Sequence, residues 1–326
     1  MPIPPTPLPP ELGAVFSCAD AYGAGVTRGR LRSSDHEAPF RGMRLRRDGN
    51  DTAADDGPFA HDRAQRRRVL RLCLAYSAVM PPHAFFAART AAVILGAHLW
   101  HGDELDVAVL APARAPRRRG IHGIKVAPTL VSVREHAGLR VSSPASTWAM
   151  LAAGSTLREL VIVGDAFVRV PRDSRGRLCP HEQLATTTQL TAAIDAGARR
   201  GVQKLRDALE LVRIGSASPL ETEFRLDAAA AGLPEPALDA EIRDAAGRLL
   251  GISDAAYPAF RVAVEVEGDH HRTSRAQWNR DIEKYAAYAA EGWEVVRLTA
   301  VHIRGSDAPA ASMVRSVLQR RGWRPT

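Results

Sequence analysis

The chain has 326 residues, 44 Lys and Arg against 36 Asp and Glu for a net charge of +8, and 45% hydrophobic residues. That length supports two or three domains with their own cores, and that composition excludes a fibrous or disordered protein. No apolar run approaches the ~20 residues of a membrane span, and Cys18, Cys73 and Cys179 are too scattered for a disulfide framework or a zinc knuckle, so reduced thiols in a cytoplasmic protein without a membrane partner are expected.

Residues 1–13, MPIPPTPLPPELG, are proline-rich and lack a signal pattern, so a disordered leader is expected. Over 14–47, CADAYGAG predicts a short helix, VTRGRLRSS a second helix bearing Arg28, Arg30 and Arg32, and FRGMRLRR a strand. Two short helices and a wing would make a small winged helix whose second helix reads a DNA groove. A solvated basic hairpin fits equally well, because Gly29 weakens the second helix. Residues 48–62 read as a polar, acidic loop. An amphipathic helix follows over 62–78, with Val69, Leu72, Cys73 and Tyr76 at helical spacing.

Helix is expected again over 84–97, then a strand in DELDVAVLAP, then a loop with Arg117, Arg118 and Arg119 consecutive. Such a run is usually solvated, yet it is also how a phosphate-gripping loop looks. A short strand and two helices follow as far as Pro171, with one or two more helices over 186–212. The front is therefore expected to be mostly helical, an α/β region over 62–212 closed by a break at 213–218. Residues 1–216 carry 30 basic and 20 acidic side chains, and residues 217–326 carry 14 and 16. The basic front is the footprint of something that approaches phosphate, so DNA is the expected partner.

The last third predicts a helix with Ser218 as N-cap, Pro219 first and Glu221 in its first turn. A hairpin turning near Gly247 comes next, then a strand over 260–267. A helix with Trp278, Ile282, Tyr285 and Ala289 on its core face, a strand in WEVVRLTA and a closing helix complete the chain. This order is an α/β module around a small mixed sheet. Within it, RVAVEVEGDHH (261–271) places Glu265 and Glu267 two apart on one strand, hence on one face. Like carboxylates in a valine-rich strand repel, and burial raises that cost. With Asp254 at the end of the preceding strand they could share Mg²⁺, or alternatively Mn²⁺, which take oxygen ligands. Such an ion activates water and stabilises a phosphoryl transition state. Glu221 could reach the same region, and His270 and His271 could move a proton.

The run from Ser218 through Asp254, Glu265, Glu267, His270 and His271 to the helix with Asp281 and GWEVVRLT resembles the Vsr-like endonucleases of the PD-(D/E)XK superfamily. The resemblance covers about residues 217–321. It implies a restriction-endonuclease-like mixed sheet flanked by helices, and a Mg²⁺-dependent phosphodiesterase. Asp254 and Glu265 would be metal ligands and Glu221 an accessory acid, with Asp281 bracing the helix or orienting a histidine. The superfamily's lysine falls at Glu267 here, which leaves His270 and His271 as candidate general bases. In the front, FSCADAYGAGVTRGRLR, FFAARTAAVILGA and SSPASTWAMLAAGSTLRELVIVGDAFV resemble the AbiEi-type antitoxins of abortive-infection systems. In that family a winged helix binds DNA and the following region serves regulation or neutralises a toxin partner; what the resemblance implies for this chain is the DNA binding. Two expectations result: a DNA-cleaving protein, or a non-cleaving regulator or antitoxin with a degenerate nuclease domain.

Overall fold

Polar caps and buried apolar faces fix the elements along the chain, and they assemble into an α/β fold of helices on mixed and antiparallel sheets. The computed structural model describes residues 6–47, 60–267, 275–305 and 307–325. Two compact units divide at Leu151 and Ala152.

Unit 1 begins with β1 (Val15–Ser17), α1 (Cys18–Gly23), β2 (His36–Glu37) and β3 (Met43–Arg46), the strands forming an antiparallel sheet ordered β1-β3-β2. The Ser17 hydroxyl accepts the Asp20 N–H and caps α1. The second helix expected here is a single 3-10 turn, Arg30–Arg32. Its chain closes at once, because Arg30 donates to both oxygens of Asp35 at 2.8 and 2.7 Å while Leu31 is buried beneath. The helix pair of a winged helix is thus absent from residues 14–47. The predicted leader is also partly ordered: Leu8 and Leu12 are buried with Phe16, Ala21 and Leu31.

The unit continues through α2 (Ala60–Ser77), β4 (Phe85–Phe86), α3 (Ala88–Ile94), β5 (Leu105–Leu110), β6 (Ile121–Val126), β7 (Val133–His136), β8 (Leu139–Ser142) and α4 (Pro144–Met150). These strands form a mixed sheet ordered β6-β5-β4-β8-β7. Its centre is β4, whose Phe85 and Phe86 are fully buried where the sequence predicts helix. A short apolar run does not distinguish a buried strand from a buried helix. With two sheets, unit 1 is richer in strand than the mostly helical front expected.

Unit 2 opens on α5 (Leu157–Val168), α6 (Thr187–Asp195), α7 (Val202–Leu211) and α8 (Pro219–Ala230). Capping boxes Thr156–Glu159 and Thr186–Gln189 start α5 and α6. Asp165 of α5 is buried and accepts from the Thr222 hydroxyl, the Arg225 guanidinium and the Arg213 N–H, each at 2.8 Å. That knot ties α5 to α8 across the break at 213–218, so the unit boundary falls well ahead of the one read from the sequence.

Next come β9 (Ala237–Arg243), β10 (Leu249–Tyr257), β11 (Val262–Glu267), α9 (Arg275–Ala290), β12 (Glu294–Thr299), α10 (Ala300–Arg304) and α11 (Ala310–Arg320). The sheet order is β12-β11-β10-β9, with β11 and β12 parallel and the other pairs antiparallel. A parallel pair needs a crossover, which α9 supplies. Val262, Val264 and Val266 pack with Leu220 and Phe224 of α8 and Val314 and Leu318 of α11 on one face. Ala263 packs with Tyr288 of α9 on the other.

Candidate active site

Alternation decides where the acid of β11 goes. Odd-numbered Ala263 faces α9, so Glu265 and Glu267 do too. The register Ala255–Val264 and Ala256–Ala263 sets Asp254 of β10 beside Glu265 on that same face. The backbone ladder between β10 and β11 stops at Ala255–Val264. Beyond it side chains take over: the Ser253 hydroxyl donates to the Val264 carbonyl at 3.1 Å, and Asp254 Oδ2 accepts the Val266 N–H at 2.6 Å. The strands open where the acids stand, yet these backbone groups keep partners.

Glu265 is buried, its Oε1 has no hydrogen-bond partner among the described residues, and its Oε2 accepts from Lys284 Nζ at 2.8 Å. Lys284, on α9, also donates to the Ile252 carbonyl at 2.9 Å, and its ammonium lies 5.5 and 5.6 Å from the ring centres of Tyr285 and Tyr288. A glycine makes the approach possible. A Cβ at Gly251 would stand 2.7 Å from the Tyr288 hydroxyl and 3.0 Å from Lys284 Cγ.

Burial pushes the Glu265 carboxyl up to about 7, with Lys284 opposing and Asp254 adding to the rise. Burial likewise pushes Glu221 up to about 8, and Asp254 again contributes. Glu221 sits in the first turn of α8, where its Oε2 accepts the Ala217 N–H at 2.6 Å and Ser218 caps the helix. The fields of Glu221 and Glu265 thus meet at half-buried Asp254.

Glu267 goes elsewhere: it pairs with Arg297 of β12, whose guanidinium lies 5.4 Å from the Tyr285 ring centre. Among the described residues no three His, Cys, Asp or Glu side chains gather where a metal ion could sit. The four-acid cluster expected from the sequence is therefore two acids side by side, Asp254 and Glu265, with Glu221 coupled to Asp254 through space. Two carboxylates, with Glu265 Oε1 taking no hydrogen bond among the described residues, still suit Mg²⁺, which commonly takes one or two carboxylates and completes its shell with waters and substrate phosphates. His270 and His271 lie outside the described residues, as does the side chain of Trp278.

The buried side of α9 carries Tyr288 with half-buried Asp281, Lys284 and Tyr285, while Ile282 and Ala289 are exposed. The core face is thus rotated from the predicted one, which follows apolar Ile282. Lys284 is the residue that sequence reasoning misses. Its only signal is helical spacing from Asp281, Tyr285 and Tyr288.

In unit 1, Arg28, Arg32, Arg117 and Arg119 are exposed, without a side-chain hydrogen bond or ion pair among the described residues. Arg30 is held by Asp35. Arg118 donates to the Arg41 carbonyl at 2.7 Å and lies 5.9 Å from the Phe40 ring centre.

No family model matches the chain. Uncharacterized proteins from two strains of Mycobacterium tuberculosis are similar to it, each 24% identical over 205 residues, or 61% of this chain and 72% of the relative. No helix among the described residues is long and apolar enough to cross a membrane.

Proposed function

We propose that unit 2 is a Mg²⁺-dependent, Vsr-like phosphodiesterase acting on DNA in the cytoplasm. The observation that carries this reading is the placement of Asp254, Glu265 and Lys284 on one face where β10 and β11 open. Asp254 and Glu265 Oε1 would hold the ion, Mn²⁺ serving as well as Mg²⁺. When bound, it would lower the pKa of water and offset the charge of the phosphoryl transition state. Lys284 supplies the cation that the strand lacks at Glu267. From α9 its ammonium can exchange Glu265 for a scissile phosphate oxygen, or orient the attacking water. Glu221, nine-tenths buried and holding its proton near neutrality, keeps the charge at Asp254 from becoming excessive.

The test is incubation of purified protein with supercoiled plasmid and Mg²⁺. Nicking that EDTA and Asp254→Asn both abolish is the expected result. No nicking by the native protein with Mg²⁺ or Mn²⁺ would sink the reading. The second reading, a non-cleaving DNA-binding regulator or antitoxin with a toxin partner, draws on a specific observation: Lys284 closes an ion pair on Glu265 and so neutralises part of the site itself. DNA binding without nicking would favour it.

A further inference from the structure

Unit 1 contains a basin of about 450 Å³ that no role above explains. Its size lies within the ~300–1,000 Å³ typical of small-molecule sites. α2 forms one wall: Arg67 and Arg71, four apart, share a face, and Arg68 stands beside them. Phe40, Leu45 and Leu72 give the basin an apolar floor. The cations differ in their freedom. Arg71 is tied to the Arg46 carbonyl, whereas Arg67 is exposed and has no partner among the described residues.

Two acids also reach the basin. Asp103 pairs with Arg68 at 2.9 Å with the two side chains 92% and 51% exposed, and Glu37 lies 3.5 Å from Arg47. Exposed pairs of this kind contribute little and exchange readily for a better anion. The arginines outnumber the acids in the wall, and guanidinium forks suit phosphate. The loop that contributes Asp103 is pinned to α2 by both ends of the Gln65 amide, at 2.9 Å to the Leu99 carbonyl and 2.9 Å from the His101 N–H. It presents Trp100 with 67% of its surface exposed. An exposed indole on the loop that also supplies Asp103 to a guanidinium-lined apolar recess matches the pairing of cations with stacking aromatics that holds single-stranded nucleic acid.

We propose that this basin binds one nucleotide of a nucleic-acid strand, the phosphate against Arg67 and Arg68 and the base over the Phe40–Leu45–Leu72 floor, with Trp100 as a neighbouring stacking surface. The assignment is independent of the catalytic reading of unit 2, and it moves the principal phosphate contact away from Arg28, Arg32 and the Arg117–Arg119 loop. The full chain is titrated in EDTA against a fluorescein-labelled single-stranded oligonucleotide, read by anisotropy, so cleavage plays no part.

Arg67→Glu, which breaks no described contact, should weaken binding about tenfold or more, the scale of a charge-assisted hydrogen bond converted to repulsion. Ala64→Phe, at an exposed position of the same wall, keeps every charge but fills the basin, and should weaken binding comparably. Deoxyadenosine monophosphate should displace the oligonucleotide at concentrations where inorganic phosphate does not. Wild-type binding by Arg67→Glu overturns the proposal. So does wild-type binding by Ala64→Phe, which would mark an electrostatic surface only, or equal displacement by a polyglutamate peptide, which would mark an acidic-protein site. Unchanged circular dichroism and melting temperature establish that each variant is folded.

Discussion

The acids of unit 2 and the arginines of unit 1 solve opposite problems. Glu221 and Glu265 are buried, and each is fixed by a named donor: Ala217 N–H for one, Lys284 for the other. Arg28, Arg32, Arg117 and Arg119 are exposed and make no described side-chain bond. A buried charge has to be positioned, because an unpaired one is costly. An exposed charge acts through its field, which salt screens. Single substitutions at the buried acids and their donors should therefore be severe, and those at these four exposed arginines shallow.

The sharpest test of that contrast is Lys284. If cleavage depends on the ammonium at Glu265, Lys284→Ala should lower the Mg²⁺-dependent nicking rate by ~10²–10³-fold, the scale of removing one transition-state donor. Lys284→Arg should rescue poorly, because a planar fork does not fit a pocket of one carbonyl, one carboxylate and two tyrosine faces. Glu267→Gln, which among the described contacts breaks the pair with Arg297, should leave most of the rate. Equal losses in Lys284→Ala and Glu267→Gln would undo the distinction drawn between the two positions.

Next in size is Gly251→Ala. Its methyl group would press on Tyr288 Oη and Lys284 Cγ, so Lys284 has to shift by some tenths of an ångström. A rate loss of ~10-fold or more with little change in Mg²⁺ requirement is expected, since small misplacements of catalytic groups are expensive. A variant as active as the wild type would show that the close approach at Gly251 does not place Lys284.

These two residues mark the limit of what the sequence discloses. The order of elements after residue 217 is legible, because Ser218, Pro219 and Gly247 are local signals and the valines of β11 alternate. Period two alone puts Glu265 and Glu267 on one face, whereas Asp254 joins Glu265 only through the pairing register of β10 and β11. Lys284 does not follow, since its role depends on which side of α9 meets the sheet. That side is chosen by Tyr288 against Ala263, a contact between elements. Phe85 and Phe86 mislead for a related reason: β4 is a strand only because β5 and β8 flank it. The knot at Asp165, which carries α5 into unit 2, has no local signature either.

Stability should register the buried acids as a dependence on pH. The folded carboxyls of Glu221 and Glu265 are raised to about 8 and about 7 from an ordinary 4.5. The native state therefore holds protons that the unfolded chain has released. Stability is then fullest below about pH 4.5 as far as these groups are concerned, and it falls as pH rises toward 7–8. The slope is at most ~1.4 kcal/mol per pH unit per group, and coupling through Asp254 spreads it. Glu221→Gln keeps an acceptor for the Ala217 N–H and removes the ionisation. It should melt higher than wild type at pH 8, with the difference shrinking toward pH 5. Added Mg²⁺ should stabilise the wild type increasingly as pH rises, because ligands bind ionised. A pH-independent gap between the two proteins would place the cost of Glu221 somewhere other than its charge.

The smallest effects belong to the arginine turn, and they separate Arg30 from its neighbours. Arg30 donates to both oxygens of Asp35 and holds that carboxyl below its ordinary range. Arg28 and Arg32 point outward from the same turn without described partners. Arg30→Ala should lower stability by under ~1 kcal/mol, given that Asp35 is partly exposed, and should change DNA affinity little. Arg28→Ala with Arg32→Ala should leave the melting curve alone and reduce the salt dependence of DNA binding, by up to about one unit of slope for each phosphate that is no longer neutralised. A double variant with an unaltered slope would leave the turn as a solvated surface, and unit 1 would hold phosphate elsewhere. The reverse assignment, with Arg30 governing affinity, would require its pair with Asp35 to open on binding, which a rise in the Asp35 carboxyl pKa on adding DNA would detect.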